Sequence, residues 1–254
     1  MPLLSRFALC AALLGVALAQ SPRERELMSP SAVRLSGVVT DGAGRPLSDV
    51  WVLHAGNEVR NITTDSQGRF DIRTRAPAVV FRKPGFQSQY LRVGGDREVA
   101  ISLAGPAAPM KECETPSKLV SLGGGSVFCL PRIPGVHVGE VGVDTDYAYR
   151  WFWFRTHPGK AGIEHAEGAT WGDGLPFDED VWSTREYAET AFHGPKGLFI
   201  VDARGKSSDG KFWRILGRFS ESANYRDVPE RYAALLDRVL DGACVDATQI
   251  KYPR

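Results

Sequence analysis

The chain has 254 residues, 43% hydrophobic and 24% charged, with 31 basic and 30 acidic side chains. A balance this close to neutral makes no field that would gather nucleic acid or anionic lipid, so neither is expected as a partner. The length suits two domains of ordinary size.

The N-terminus has one early charge, Arg6, then an apolar run from Phe7 to Ala19 that ends in the small-x-small pattern Ala17-Leu18-Ala19. That run is about 13 residues, short of the roughly 20 that span a bilayer. Residues 1–19 are therefore expected to be an export signal cleaved after Ala19, which makes the protein secreted or periplasmic. An uncleaved anchor is the alternative. Cys10 lies inside the apolar run behind Leu9 and does not fit a lipoprotein cysteine. Residues 20–32 follow as an N-terminal tail. Export leaves Cys113, Cys129 and Cys244 where disulfides persist, so one bridge and one free thiol are expected. The sequence leaves the pairing open. Cys113–Cys129, stapling a Gly-rich segment, is the preferred expectation, worth about 3 kcal/mol in the chain-entropy model.

From Val33 to Ala104 short β-rich runs alternate with turn clusters such as DGAGRP, DSQG and PGFQ. Phe70 and Ile72 fall on one face of their run, Asp71 and Arg73 on the other, the pattern of one buried and one wet face. Seven such runs predict a β-sandwich. Asp65 and Gly68 fit the ends of a tight turn, Gly68 being free to take φ > 0, and Leu47 and Val50 are expected in the core.

Four stretches carry a family resemblance: GVVTD (37–41), GRPLSDV (44–50), TDSQGRF (64–70) and KPGF (83–86). In this order and spacing, 33–104 resembles the carboxypeptidase regulatory-like domain, a transthyretin- or prealbumin-like sandwich found in many exported bacterial proteins. The resemblance implies an accessory module without catalytic residues, in a superfamily often grouped with carbohydrate-binding folds. Residues 110–254 resemble no family.

Residues 105–112, rich in proline and small side chains, are expected to link this module to a second domain, 113–254. That domain holds five of the six tryptophans. In DYAYRWFWFRT (146–156), read as a strand, Tyr147, Tyr149, Trp151 and Trp153 share one face, and Ala148, Arg150, Phe152 and Phe154 the other. Both faces are largely apolar, which predicts a strand covered on both sides, with an open aromatic platform as the alternative. GLFIVDARG (197–205) and KFWRILGRF (211–219) read as a hairpin about SSDG. Apolar spacing from Tyr232 to Leu240 predicts a helix with Asp227 as N-cap, Pro229 in its first turn and Gly242 as its stop. The expected whole is mainly β: a seven-stranded prealbumin-like sandwich, then an α+β domain with an antiparallel sheet and a C-terminal helix.

His137-x-x-Glu140 has the spacing that opens the metal site of zinc carboxypeptidases. Those enzymes place a third histidine well over a hundred residues later, whereas here the last one, His193, follows by 56 positions. A zinc carboxypeptidase is therefore not expected, and His137 reads as a strand residue between core-facing Val136 and Val138. The acidic, aromatic segment 167–182 supplies the other candidate. Asp173, Asp178 and Asp180, with Tyr147, Trp171 and Trp182, are the proposed ligand-binding residues. Their carboxylates suit calcium in chemistry but not in loop spacing, so no cofactor is expected. The functional expectation is an exported, non-catalytic protein that binds a glycan or an envelope protein. The alternatives are a small secreted hydrolase acting on glycans through carboxylates near 173–180, and a structural oligomerisation module.

Overall fold

The computed structural model describes residues 32–54, 57–122, 126–143, 148–154, 162–167, 184–218 and 221–250. The chain is mainly β. No helix among these residues is long and apolar enough to cross a membrane.

Seven strands come first: β1 (Val33–Asp41), β2 (Trp51–His54), β3 (Asn57–Thr63), β4 (Arg69–Thr74), β5 (Ala78–Arg82), β6 (Gln89–Arg92) and β7 (Arg97–Leu103). They form a three-stranded sheet, β4-β1-β7, and a four-stranded sheet, β3-β2-β5-β6. β1 runs antiparallel to β4 and parallel to β7. Alternation decides which side chains meet between the sheets. Leu35 and Val39 of β1, Phe70 and Ile72 of β4, and Ile101 and Leu103 of β7 pack against Val52, Val79 and Phe81 in one buried cluster. Val50 is buried there and Leu47 packs against it.

The turns are held by their own side chains. The Asp65 carboxylate accepts the backbone N–H groups of Gln67 and Arg69, both at 2.8 Å. Gly68 has φ +73, and a Cβ there would lie 2.4 Å from the Val39 carbonyl oxygen, so this position needs glycine on two counts. Asp41 caps the DGAGRP turn in the same way, accepting the backbone N–H groups of Ala43 and Arg45. The Thr64 hydroxyl donates to Leu47 O and accepts from Val50 N, tying the two turn motifs together.

The rest of the chain adds β8 (Ala108–Pro109), β9 (Val120–Ser121), β10 (Phe128–Leu130), β11 (Val136–Val143), β12 (Ala148–Phe154), β13 (Gly162–Glu167), β14 (Thr184–His193), β15 (Phe199–Ser207), β16 (Phe212–Arg218), β17 (Glu221–Val228), helix α1 (Glu230–Asp241) and β18 (Cys244–Val245). An eight-stranded sheet runs β11-β12-β13-β17-β16-β15-β14-β8, antiparallel except at β14/β8. A small sheet, β18-β10-β9, accompanies it. Gly210, at φ +85, turns the β15–β16 hairpin, where Ser207 N–H donates to Lys211 O.

Helix α1 buries Ala233, Leu236, Val239 and Leu240 against one face of the large sheet and against the small sheet. Full burial of each larger side chain is worth about 1.5–3 kcal/mol. The N-cap is Pro229, not Asp227; Asp227 sits at φ +57 in β17, a positive-φ position that aspartate tolerates. Gly242 ends the helix as expected, and its Cβ would meet Pro131 Cγ at 2.5 Å. Arg214 of β16 ties helix to sheet through Asp202 of β15 and Asp237 and Asp241 of α1, at 2.7, 3.0 and 2.8 Å.

The disulfide corrects an expectation: Cys113 bonds Cys244, and Cys129 is a buried free thiol. Strand β18 explains it. β10 lies along one edge of β18, with Cys129 directly opposite Cys244, and residues 111–113 lie along the other edge. Cys113 and Cys129 are thus two strand spacings apart, about 9.5 Å, beyond the roughly 7 Å that a disulfide bridges. The bond closes a separation of 131 residues, worth about 5 kcal/mol in the chain-entropy model.

The second face of the large sheet meets the four-stranded sheet. Ala78 of β5 packs with Val201, Ala203, Trp213 and Ile215, and Tyr90 stacks on Tyr187 at 4.4 Å. Arg82 makes a two-pronged ion pair with Glu189 at 2.9 and 3.0 Å, the two side chains 1% and 2% exposed. Burial pushes the Glu189 carboxyl up, but the charge and hydrogen bonds of Arg82, helped by the Tyr187 hydroxyl, outweigh it and hold the group below the ordinary carboxylate range. Gln87 continues the β14 ladder with its side-chain amide, which donates to Ala191 O and accepts from Ala191 N, both at 3.0 Å.

Candidate functional site

The contact just described occupies the β14–β16 part of the second face. Farther along the same sheet, at β12 and at β11, its last strand among the described residues, aromatic side chains are part-exposed. Trp151 and Trp153 are 44% and 40% exposed, while Phe152 between them is fully buried. The period of two produces this split. Phe152 enters the core formed with α1, and Arg150, on the same side, donates to Ser121 O at 2.7 Å, so the strand is gripped from one face. Its alternate residues are turned outward, their attachment points about 6.7 Å apart along the strand.

Strand β11 shapes this face further. His137 pairs with Trp153 across the ladder, and their rings stack at 6.0 Å with a 29° angle between planes. Val136 and Val138 pack against the core, as expected for a strand reading of His137. The register shifts between Val138 and Val141, and Gly139 lies in that bulge. A Cβ on Gly139 would come 2.9 Å from Trp153 Cζ3, so glycine lets the indole lie against the β11 backbone. The resulting surface is a two-tryptophan shelf with a histidine beside it. The tryptophan rings offer flat apolar faces and donor edges suited to stacking.

The expected site residues Tyr147, Trp171, Asp173, Asp178, Asp180 and Trp182 lie outside the described residues. Glu140 belongs to β11 at the bulge, three positions from His137. Among the described residues no three histidine, cysteine or carboxylate side chains come together in a group that could hold a metal ion. The alternation of 146–156 predicts a strand covered on both sides, with an aromatic platform as the alternative; Trp151 and Trp153, at 44% and 40% exposed, fit the platform. The signal that points to them is a combination: alternation about a buried Phe152, and Gly139 placed where a large ring crosses the neighbouring strand.

No family model matches the chain, and no curated protein does. The resemblance of 33–104 to the regulatory-like domain therefore rests on its own residues. Among solved structures, a Bacillus anthracis TIE protein is similar at 10% identity and a TM-score of 0.23, over 78% of this chain and 32% of that one. The major pilin subunit of Bacillus cereus is similar at 10% identity and a TM-score of 0.24, over 78% of this chain and 69% of that one. The chain thus spans about a third of the length of the TIE protein.

Proposed function

We propose that the protein is an exported, non-catalytic binding protein that holds a glycan against the Trp151–Trp153 shelf. The observation that carries this is the pair of tryptophans part-exposed on one face of a strand whose Phe152, between them, is buried in the core on the other. The exposed part of each indole costs hydrophobic free energy in water, and stacking against the apolar face of a sugar ring recovers it. The reading has 33–104 as a prealbumin-like sandwich of the regulatory type, 105–112 as a linker and 113–254 as the α+β binding domain. Export after cleavage at Ala19 fits the Cys113–Cys244 bond, a kind of link that persists in oxidising compartments.

Retention on a panel of immobilised polysaccharides tests it. The expected result is retention of the wild-type chain by at least one polysaccharide and loss of it in Trp151→Ala/Trp153→Ala with the fold retained. No retention by any polysaccharide, or equal retention of the variant, sinks the reading. Turnover of the polysaccharide that disappears in Asp178→Asn and Asp180→Asn would make the protein a hydrolase instead.

One observation favours a second reading. β11 is an edge strand among the described residues, and Val141 and Val143 on it are 36% and 78% exposed. Such an edge is a template for pairing with another strand, so the same region would serve assembly through a second copy. A strict monomer by light scattering at high concentration removes that reading.

A further inference from the structure

The three cysteines in the described residues stand side by side. Cys244 lies on β18, Cys129 is its direct partner on β10, and Cys113 reaches it from the opposite edge. By the pleat, all three side chains share one face: Cys129 and Cys244 are directly opposed, and Glu112, beside Cys113, opposes Val245, beside Cys244. Directly opposed residues have Cα atoms about 4.5–5.5 Å apart, inside the range a disulfide needs. Cys113 and Cys244, already bonded, are 5.1 Å apart at Cα. Cys244 Sγ lies 3.8 Å from the Cys129 carbonyl oxygen.

We infer that Cys113 and Cys129 compete for Cys244, and that thiol–disulfide exchange converts the Cys113–Cys244 bond into Cys129–Cys244. The Cys129 thiolate attacks Cys244 Sγ, so one sulfur–sulfur bond forms as the other breaks. The electron pair leaves on Cys113, which takes up the proton that Cys129 gave. No outside oxidant or reductant is needed, because the number of disulfides is unchanged. Attacker and leaving group come to Cys244 from opposite flanking strands.

The exchange changes what the surface offers. Cys129 is buried, whereas Cys113 is half-buried between exposed Glu112 and Glu114. A concealed thiol is traded for an accessible one, and the segment after β8 is left tied to β18 by its backbone hydrogen bonds to Val245. Burial pushes the Cys129 thiol up, with Asp246 and Glu221 adding to the same direction, which keeps the exchange slow in the folded chain.

Peptide mapping of the intact wild-type protein after prolonged incubation with a maleimide tests this. The expected products are a Cys129–Cys244 cross-linked peptide and a label on Cys113, both absent in Cys129→Ser. Labelling of Cys129 alone, or no labelling with Cys113–Cys244 as the sole cross-link, overturns the inference. In Cys113→Ser under mild oxidant a Cys129–Cys244 bond is expected; two thiols that both stay free overturn it independently.

Discussion

The two edges of the eight-stranded sheet are finished in different ways. At β14 the ladder is continued by the Gln87 amide and by β8, and the face beside it is covered by the four-stranded sheet. At β11 no strand among the described residues pairs with the outer edge, and Trp151 and Trp153 beside it are part-exposed. Both ends are rich in aromatic residues. Tyr90, Tyr187 and Trp213 pack together at one; His137, Trp151 and Trp153 line the other. The lesson is that an aromatic strand face is core or surface according to what another part of the chain lays over it.

The clamp at the covered end is the place to break that comparison. Arg82→Ala strands Glu189 as a buried, unpaired charge and is expected to cost about 3–5 kcal/mol, read from urea unfolding. Arg82→Met/Glu189→Leu together should lie near the wild type, because a well-packed apolar pair replaces a fully desolvated ionic one. A Glu189 pKa lowered by folding stabilises the protein above the unfolded carboxylate value, about 4.3, and that contribution is lost as pH falls through the folded value. Glu189→Gln should therefore flatten the acid side of the stability–pH curve; an unchanged slope would remove the clamp from the acid response.

Tryptophan truncation compares the two ends directly. Trp213→Ala removes a ring that is 3% exposed and is expected to cost about 3–5 kcal/mol. Next in size, Gly68→Ala should cost about 2 kcal/mol through its positive φ and the Val39 carbonyl, which places the rigid reference point of the comparison in a turn. Trp153→Ala, at the open end, should change stability by less than about 1 kcal/mol while removing polysaccharide retention. A stability loss as large as that of Trp213→Ala would mean the shelf is core.

The strands of 33–104 were legible because their signal is local. Alternation in RFDIRT, Asp65 and Gly68 at the turn, and Asp41 closing DGAGRP all act within a few residues, so the chain states them wherever it folds. The β15–β16 hairpin and the stop of α1 at Gly242 were legible for the same reason. The N-cap was displaced from Asp227 to Pro229 because β17 runs on to Val228 in the large sheet. For the candidate site, the sequence placed Trp151 and Trp153 on one face but not that face in solvent.

By itself, then, the sequence determined the mainly β character, the turn chemistry, and the alternation that sends Phe152 one way and its neighbours the other. Tertiary structure alone decided the partner of each element. Cys113 bonds Cys244 because β18 lies between the other two cysteines, and Trp213 is buried while Trp153 is not because the four-stranded sheet covers one end of the large sheet. Period and propensity are properties of neighbours along the chain. Exposure and disulfide choice depend on residues many tens of positions away, brought together only by packing.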